Sequence, residues 1–197
     1  MASLEYLLHF DIDKRNFTIV DVDGDGHKLQ QYNRLLFCDS KKRIWAGGEM
    51  GISVFNQVGT SLLPNTDFQI ASVLKQAFVN CFYETSSGYL WIGTRNGLFA
   101  LKESDKQFLQ YTTENGLPSN VIYGILEDAY GRLWISTNQG LSCLNSESGK
   151  FRNFTIMDGL QGNQFNAGAY CRKDNGYMLF GEQSQKHFHC YNNLKIS

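Results

Sequence analysis

The sequence predicts an all-β fold assembled from repeated four-stranded sheets, and three observations predict it. Trp45, Trp91 and Trp134 stand 46 and then 43 residues apart, with Leu179 in the same place 45 residues later. Each of these positions is set in a similar frame of turn and strand residues. The composition, with 19 Gly, only 2 Pro and 14% aromatic residues, suits short strands joined by tight turns. A period of roughly 40–50 residues carrying four strands and one Trp describes a blade of a β-propeller.

The frames align residue by residue. Asp39-Ser40-Lys41-Lys42-Arg43-Ile44-Trp45-Ala46-Gly47 leads to Gly51-Ile52. Glu84-Thr85-Ser86-Ser87-Gly88-Tyr89-Leu90-Trp91-Ile92-Gly93-Thr94 leads to Gly97-Leu98. Glu127-Asp128-Ala129-Tyr130-Gly131-Arg132-Leu133-Trp134-Ile135-Ser136-Thr137 leads to Gly140-Leu141. A degraded copy, Asp174-Asn175-Gly176-Tyr177-Met178-Leu179-Phe180-Gly181, closes the series. The linkers repeat as well, with Asn115-Gly116-Leu117-Pro118-Ser119-Asn120 answered by Asp158-Gly159-Leu160-Gln161-Gly162-Asn163.

Within one repeat, Val121–Glu127 is a mostly apolar run suited to an inner strand packed on both faces. Turn residues separate it from Leu133–Ser136, Leu141–Leu144 and Phe151–Thr155, at the spacing of an up-and-down sheet. A large flat indole fills the wedge between neighbouring blades, and glycines supply positive φ in the hairpins. The expected organisation is one partial propeller domain over 1–197, with blades at about 33–70, 77–115, 120–157 and 166–192. A half-repeat over 4–20 leads the series and contributes strands at Leu7–Phe10 and Phe17–Val20. It either completes the last copy as a shared blade, giving a small closed ring, or leaves an open arc whose exposed blade faces drive dimerisation.

Composition excludes several classes of function. The net charge is −1 with mixed signs throughout, so no basic footprint for nucleic acid exists. No apolar run approaches the roughly 20 residues that cross a bilayer, and the N-terminus lacks a secretory pattern. The five cysteines lie tens of residues apart and are expected as small apolar residues buried in strands, not a disulfide framework. No cofactor motif and no nucleophile elbow, zinc-protease or phosphate-loop motif is present, so no enzymatic activity is expected of this chain. The acids that recur, Glu84, Glu127 and Asp128, are expected to be scaffold, because an active site would break the repeat.

At Leu90-Trp91-Ile92-Gly93-Thr94-Arg95-Asn96-Gly97-Leu98 and Leu117-Pro118-Ser119-Asn120-Val121 the chain resembles the two-component regulator propeller repeats. Those repeats build the periplasmic sensor regions of Bacteroides-type hybrid histidine kinases. The resemblance implies an extracytoplasmic module that binds oligosaccharides and signals to the remainder of a sensor kinase chain. It also implies that this chain is part of a larger, seven-bladed propeller. The alternative function is a propeller scaffold for protein–protein interaction with no small-molecule ligand.

The expected binding face follows from topology. The turn between second and third strands and the entry to the inner strand open at the same end of a blade. Glu49 with Met50, Arg95, Asn96, Asn138, Gln139 and Glu182 with Gln183 are placed in those turns. Asn120, Asn163 and Gln164 are placed in the entry loops. Amides, Arg and carboxylates suit sugar hydroxyls, and nearby aromatic rings stack on pyranose faces. For metals, Asp21-Val22-Asp23-Gly24-Asp25-Gly26 matches the first half of a calcium loop, but Tyr32 stands where the bidentate acid belongs. His187-Phe188-His189 places two imidazoles on one strand face, in a divergent terminal segment that favours solvated histidines.

Overall fold

In the computed structural model, residues 7–20, 33–59, 61–67, 69–102, 107–146 and 148–182 are described. The Asp21–Asp25 motif, the two-histidine motif, Gln183 and Cys190 lie outside them. The chain divides into two compact units, Met1–Phe78 and Val79–Ser197.

The first unit holds one complete blade. Its strands are β3 (Asn33–Cys38), β4 (Arg43–Gly48), β5 (Gly51–Val58) and β6 (Ser61–Pro64), antiparallel in the order β3-β4-β5-β6. A hairpin of β1 (Leu7–Asp11) and β2 (Asn16–Val20) is a two-stranded sheet of its own. Its register, Phe10 opposite Phe17 and Asp11 opposite Asn16, reproduces the outer half of a repeat, where Leu144 faces Phe151 and Asn145 faces Lys150. Leu8, Phe10 and Phe17 are exposed, while Val20 packs against a core of Ala46, Phe55 and Leu62. Sequence reasoning had no signal for the short helix α1 (Gln69–Val73), which anchors the linker by burying Ile70.

The second unit holds two complete blades and half of a third. Blade 2 is β7 (Val79–Glu84), β8 (Tyr89–Thr94), β9 (Gly97–Lys102) and β10 (Gln107–Tyr111). Blade 3 is β11 (Ile122–Glu127), β12 (Leu133–Thr137), β13 (Gly140–Asn145) and β14 (Lys150–Phe154). The last copy supplies β15 (Phe165–Arg172) and β16 (Met178–Glu182), a two-stranded sheet among the described residues. The four-stranded meander expected of a blade is therefore present three times among the described residues.

The blades of this unit meet through the tryptophan wedges. Trp91 packs among Leu117, Ile122, Ile125 and Leu133, and Trp134 among Phe154, Leu160, Phe165 and Phe180. Both indoles are more than nine-tenths buried. Removing one such ring from water is worth roughly 4–6 kcal/mol as an upper bound, so these contacts dominate the joint. Polar bonds fix the register of the joint. Asn80 Nδ2 donates to the Ile122 carbonyl at 2.8 Å, and Ser86 donates through N and Oγ to the buried Glu127 carboxylate at 3.0 and 3.1 Å. The scaffold role expected of Glu127 is thus a clamp between blades 2 and 3.

The cysteine expectation holds for Cys81 and Cys143, which are buried. Burial pushes the Cys81 thiol up to about 12 and the Cys143 thiol up to about 11. It fails for Cys38 and Cys171, which are free and exposed. Along β3 exposed and half-buried residues alternate, and Cys38 falls on the exposed side.

The tryptophans carry a second device that the sequence encodes six residues upstream. The Asp39 carboxylate accepts from the Lys41 and Arg43 amides, from Arg43 Nε at 2.6 Å and from Trp45 Nε1 at 2.9 Å. Asp128 repeats this with the Tyr130 and Arg132 amides, Arg132 Nε at 2.7 Å and Trp134 Nε1 at 3.0 Å. In blade 2 the two partner positions hold Thr85 and Tyr89. Thr85 Oγ1 accepts only the Tyr89 amide of that set, and Trp91 Nε1 is buried with no partner. A buried unpaired donor costs on the order of 1–3 kcal/mol. Replacement Thr85→Asp is accordingly expected to stabilise the protein by about 1 kcal/mol after the cost of burying the new carboxylate. The urea midpoint of the variant measures it, and a midpoint at or below wild type sinks the idea.

Candidate functional site

The strands of each blade run so that the β8–β9 and β12–β13 turns lie at the same end as the entry loops before β11 and β15. Backbone bonds across the blade joints fix this meeting. The Gly97 amide donates to the Asn120 carbonyl at 2.8 Å, and the Gly140 amide donates to the Asn163 carbonyl at 2.7 Å. Arg95 and Asn96 are thereby set beside Asn120, and Asn138 and Gln139 beside Asn163.

Each turn is locked from below by a threonine. Thr94 Oγ1 donates to the Gly97 carbonyl at 2.9 Å and accepts from the Asn96 amide at 2.9 Å. Thr137 does the same with the Gly140 carbonyl and the Gln139 amide, at 2.8 and 3.0 Å. Fixing the backbone beneath Asn96 and Gln139 leaves only their side chains free to adapt.

The entry loops are built by short 3-10 turns at Thr113–Asn115 and Ile156–Asp158, both closed by a capping box and both ending on a left-handed glycine. Sequence correspondence between 115–120 and 158–163 is the signal for them. The predicted ligand contacts Asn120 and Asn163 also serve this scaffold. Asn120 Oδ1 accepts from the Thr113 amide at 2.8 Å, and Asn163 Oδ1 from the Ile156 amide at 2.9 Å. With Oδ1 so engaged, each side chain has its two Nδ2 hydrogens left to offer as donors.

The remaining predicted residues are differently placed. Arg95, Asn96 and Gln139 are exposed. Asn138 is half-buried, and its Oδ1 is buried with no hydrogen-bond partner. Glu49 lies in the first unit, in the β4–β5 turn, with its carboxylate 2.6 Å from the Arg34 guanidinium. Glu182 is not a turn residue. It is the last residue of β16, opposite Phe165, in the register position that Thr94 and Thr137 occupy in the preceding blades. It is only 4% exposed and lies against Gly162 of the entry loop.

Titration behaviour separates scaffold from face. Burial opposes ionisation of Asp39 and Asp128, yet the tryptophan, amide and arginine donors outweigh it and hold both carboxyls below the ordinary value of 3.8. Both lie at the opposite end of the blade from the face. Among the described residues no cluster of His, Cys, Asp and Glu could hold a metal ion. No described helix is long and apolar enough to cross a membrane.

The family model for "Two component regulator propeller" matches residues 74–96 and 116–139, which contain Trp91 and Trp134 respectively. No curated protein sequence matches the chain. Among solved structures, the chain is similar to the extracellular domains of two hybrid two component systems from B. thetaiotaomicron, BT3049 and BT4673. For BT3049 the identity is 21% and the TM-score 0.70, over 90% of this chain and 26% of that one. For BT4673 the values are 18% and 0.69, over 91% and 24%. A luciferin-regenerating enzyme shares the fold at 13% identity and TM-score 0.58, over 91% of this chain and 63% of that one. The chain thus spans about a quarter of the two-component domains it resembles. Repeat and blade topology agree with these comparisons: the chain is an all-β protein of propeller blades, two of which contain stretches that match the two-component regulator propeller repeat.

Proposed function

We propose that the chain is a ligand-sensing part of a two-component sensor, acting outside the cytoplasm in the periplasm and recognising oligosaccharides. The observation that carries this reading is the pairing of turn and entry loop at two successive blade joints. It repeats one scaffold while changing the displayed side chains from Arg95 and Asn96 to Asn138 and Gln139. Constant backbone with variable amide and guanidinium groups is the arrangement a polyhydroxylated ligand requires. The signal would pass to the remainder of the sensor chain.

A thermal-shift screen of the purified protein against plant, fungal and host-glycan oligosaccharides tests the reading. A cognate sugar at about 100 times its Kd is expected to add about 2.7 kcal/mol to stability. A panel without any shift removes it. One observation favours the second reading, an interaction scaffold: Met157 and Ile156, in the turn that contacts Asn163, are 90% and 54% exposed. Exposed apolar side chains at a rim suit a protein partner. In that case Met157→Ser would weaken capture of the sensor's own downstream domain and leave sugar screens blank.

A further inference from the structure

Two departures of the last copy from the repeat lie close to its entry loop: the bulge of β15 and Glu182 at the end of β16. In β11, Ile122 faces Thr137 and Gly124 faces Ser136, so two residue steps answer one. The inner strands β3 and β7 show the same single-residue bulge. In β15, Phe165 faces Glu182 but the next pair is Tyr170 with Phe180, so five steps answer two. Residues Asn166–Ala169 therefore have no cross-strand partner in the register. Gly168 takes φ +74° at the crest, and Ala167 and Gly168 are exposed.

The surroundings of this swelling are polar on the side chains and bare on the backbone. Gln164 is exposed and Asn166 half-buried, so two amides flank the bulge. Asn163 precedes them and carries the bond from the Gly140 amide, which places the unpartnered Asn138 Oδ1 on the neighbouring turn. Beneath lies Glu182, where blades 2 and 3 have Thr94 and Thr137. A bulge of Ala and Gly, outside the register with β16, lets a ligand approach its amides and carbonyls with no long side chain between.

We propose that the β15 bulge is a binding subsite for a neutral oligosaccharide, contacted by Asn166, Gln164 and the backbone of Ala167–Gly168. This rests on the oligosaccharide reading above and names the part of the face that does the binding. Neutral chemistry follows from the Glu182 carboxyl at the foot of the bulge, which disfavours a uronic or sulfated sugar. Sugar hydroxyls both donate and accept, matching a mixed set of amides and carbonyls.

The test titrates the full chain, by calorimetry, with cellohexaose, xylohexaose, mannohexaose, maltohexaose and an oligogalacturonate. Two variants are compared with wild type: Asn166→Ala, and deletion of Ala167 and Gly168, which trims the bulge to the size seen in β11. Tyr130→Ala, at the opposite end of blade 3, is the control. The expected result is a neutral hexasaccharide that binds wild type and control alike and loses at least about tenfold in affinity to each variant, at unchanged melting temperature. Should the deletion fail to fold, Asn166→Ala alone decides. Equal binding by wild type and Asn166→Ala overturns the subsite and leaves the sensor reading intact. Preference for oligogalacturonate overturns the neutral chemistry. Binding of no oligosaccharide by wild type overturns the subsite together with the reading on which it rests.

Discussion

Asp128→Ala is expected to cost about 3–5 kcal/mol of stability, because one truncation strands several donors at once, the buried Trp134 indole N–H among them. The carboxylate accepts four hydrogen bonds, two from backbone amides that shape the β11–β12 turn and two from side chains. After truncation the Trp134 indole N–H is buried and alone, and the Arg132 guanidinium has lost its partner beside the same ring. Arg132 sits 2.7 Å from that carboxylate and 5.9 Å from the Trp134 ring centroid, so charge, ring and turn form one unit. Blade 2 supplies an internal control. Its Trp91 already lives with an unpaired N–H, and that blade keeps its wedge packing without a carboxylate on the indole. Asp128→Asn should therefore retain part of the stability, since an amide oxygen still accepts from Trp134 while the charge attraction to Arg132 is lost. Urea unfolding of the three proteins checks the order wild type, then Asn, then Ala. Equal midpoints for wild type and Ala would remove the argument.

The same groups set the acid limit. Asp39 and Asp128 have folded-state values below the ordinary carboxylate value of 3.8, so the folded protein binds their protons less readily than the unfolded chain does. Their contribution is complete above the unfolded value and is lost as pH falls through the lower folded values. Stability is expected to be flat in this respect near neutrality and to decline below about pH 4. The decline should be shallower in Asp128→Ala, whose remaining contributor of this kind is Asp39.

What the sequence discloses here depends on whether the physics repeats. Strand boundaries, the Trp wedge and the two matching entry loops were legible because each occurs at least twice in register, and repetition filters chance. The Asp–Arg–Trp unit was equally legible at 39, 43 and 45 and again at 128, 132 and 134. Its signal is the spacing of four and six residues from Asp to Arg and Trp, which the hydrophobic pattern does not carry. Helix α1 occurs once and buries only a few apolar residues, so no period marks it. Glu182 illustrates the opposite failure. Aligning the degraded copy by its glycine turn placed this residue in a loop, whereas the β15 bulge and strand register place it in the threonine position under that turn. The candidate face is legible as a location, from topology, but no ligand is, because the side chains that would choose one are those that differ between blades.

Gly140→Ala should be nearly as damaging as the loss of Asp128, for a reason confined to one atom. Gly140 opens β13 at φ +111°, a conformation an L residue adopts only under strain of about 1–3 kcal/mol. Its missing Cβ would also fall on the Phe154 carbonyl oxygen, which belongs to backbone and cannot swing away. Relief requires moving β13 from β14 or tilting the β12–β13 turn, and the latter breaks the 2.7 Å bond from the Gly140 amide to Asn163. Strain and overpacking together predict a loss of about 3–5 kcal/mol. Gly131→Ala isolates the first part. That glycine also has positive φ, at +73°, but open space where a Cβ would stand, so about 1 kcal/mol is expected. The difference between the two variants measures the close approach alone. Because Gly140 carries the bond that sets Asn138 and Gln139 beside Asn163, its replacement should also weaken any ligand held by that joint, while Gly131→Ala should leave binding unchanged. Equal losses of stability in the two variants would show that φ, not the carbonyl of Phe154, is what reserves this position for glycine.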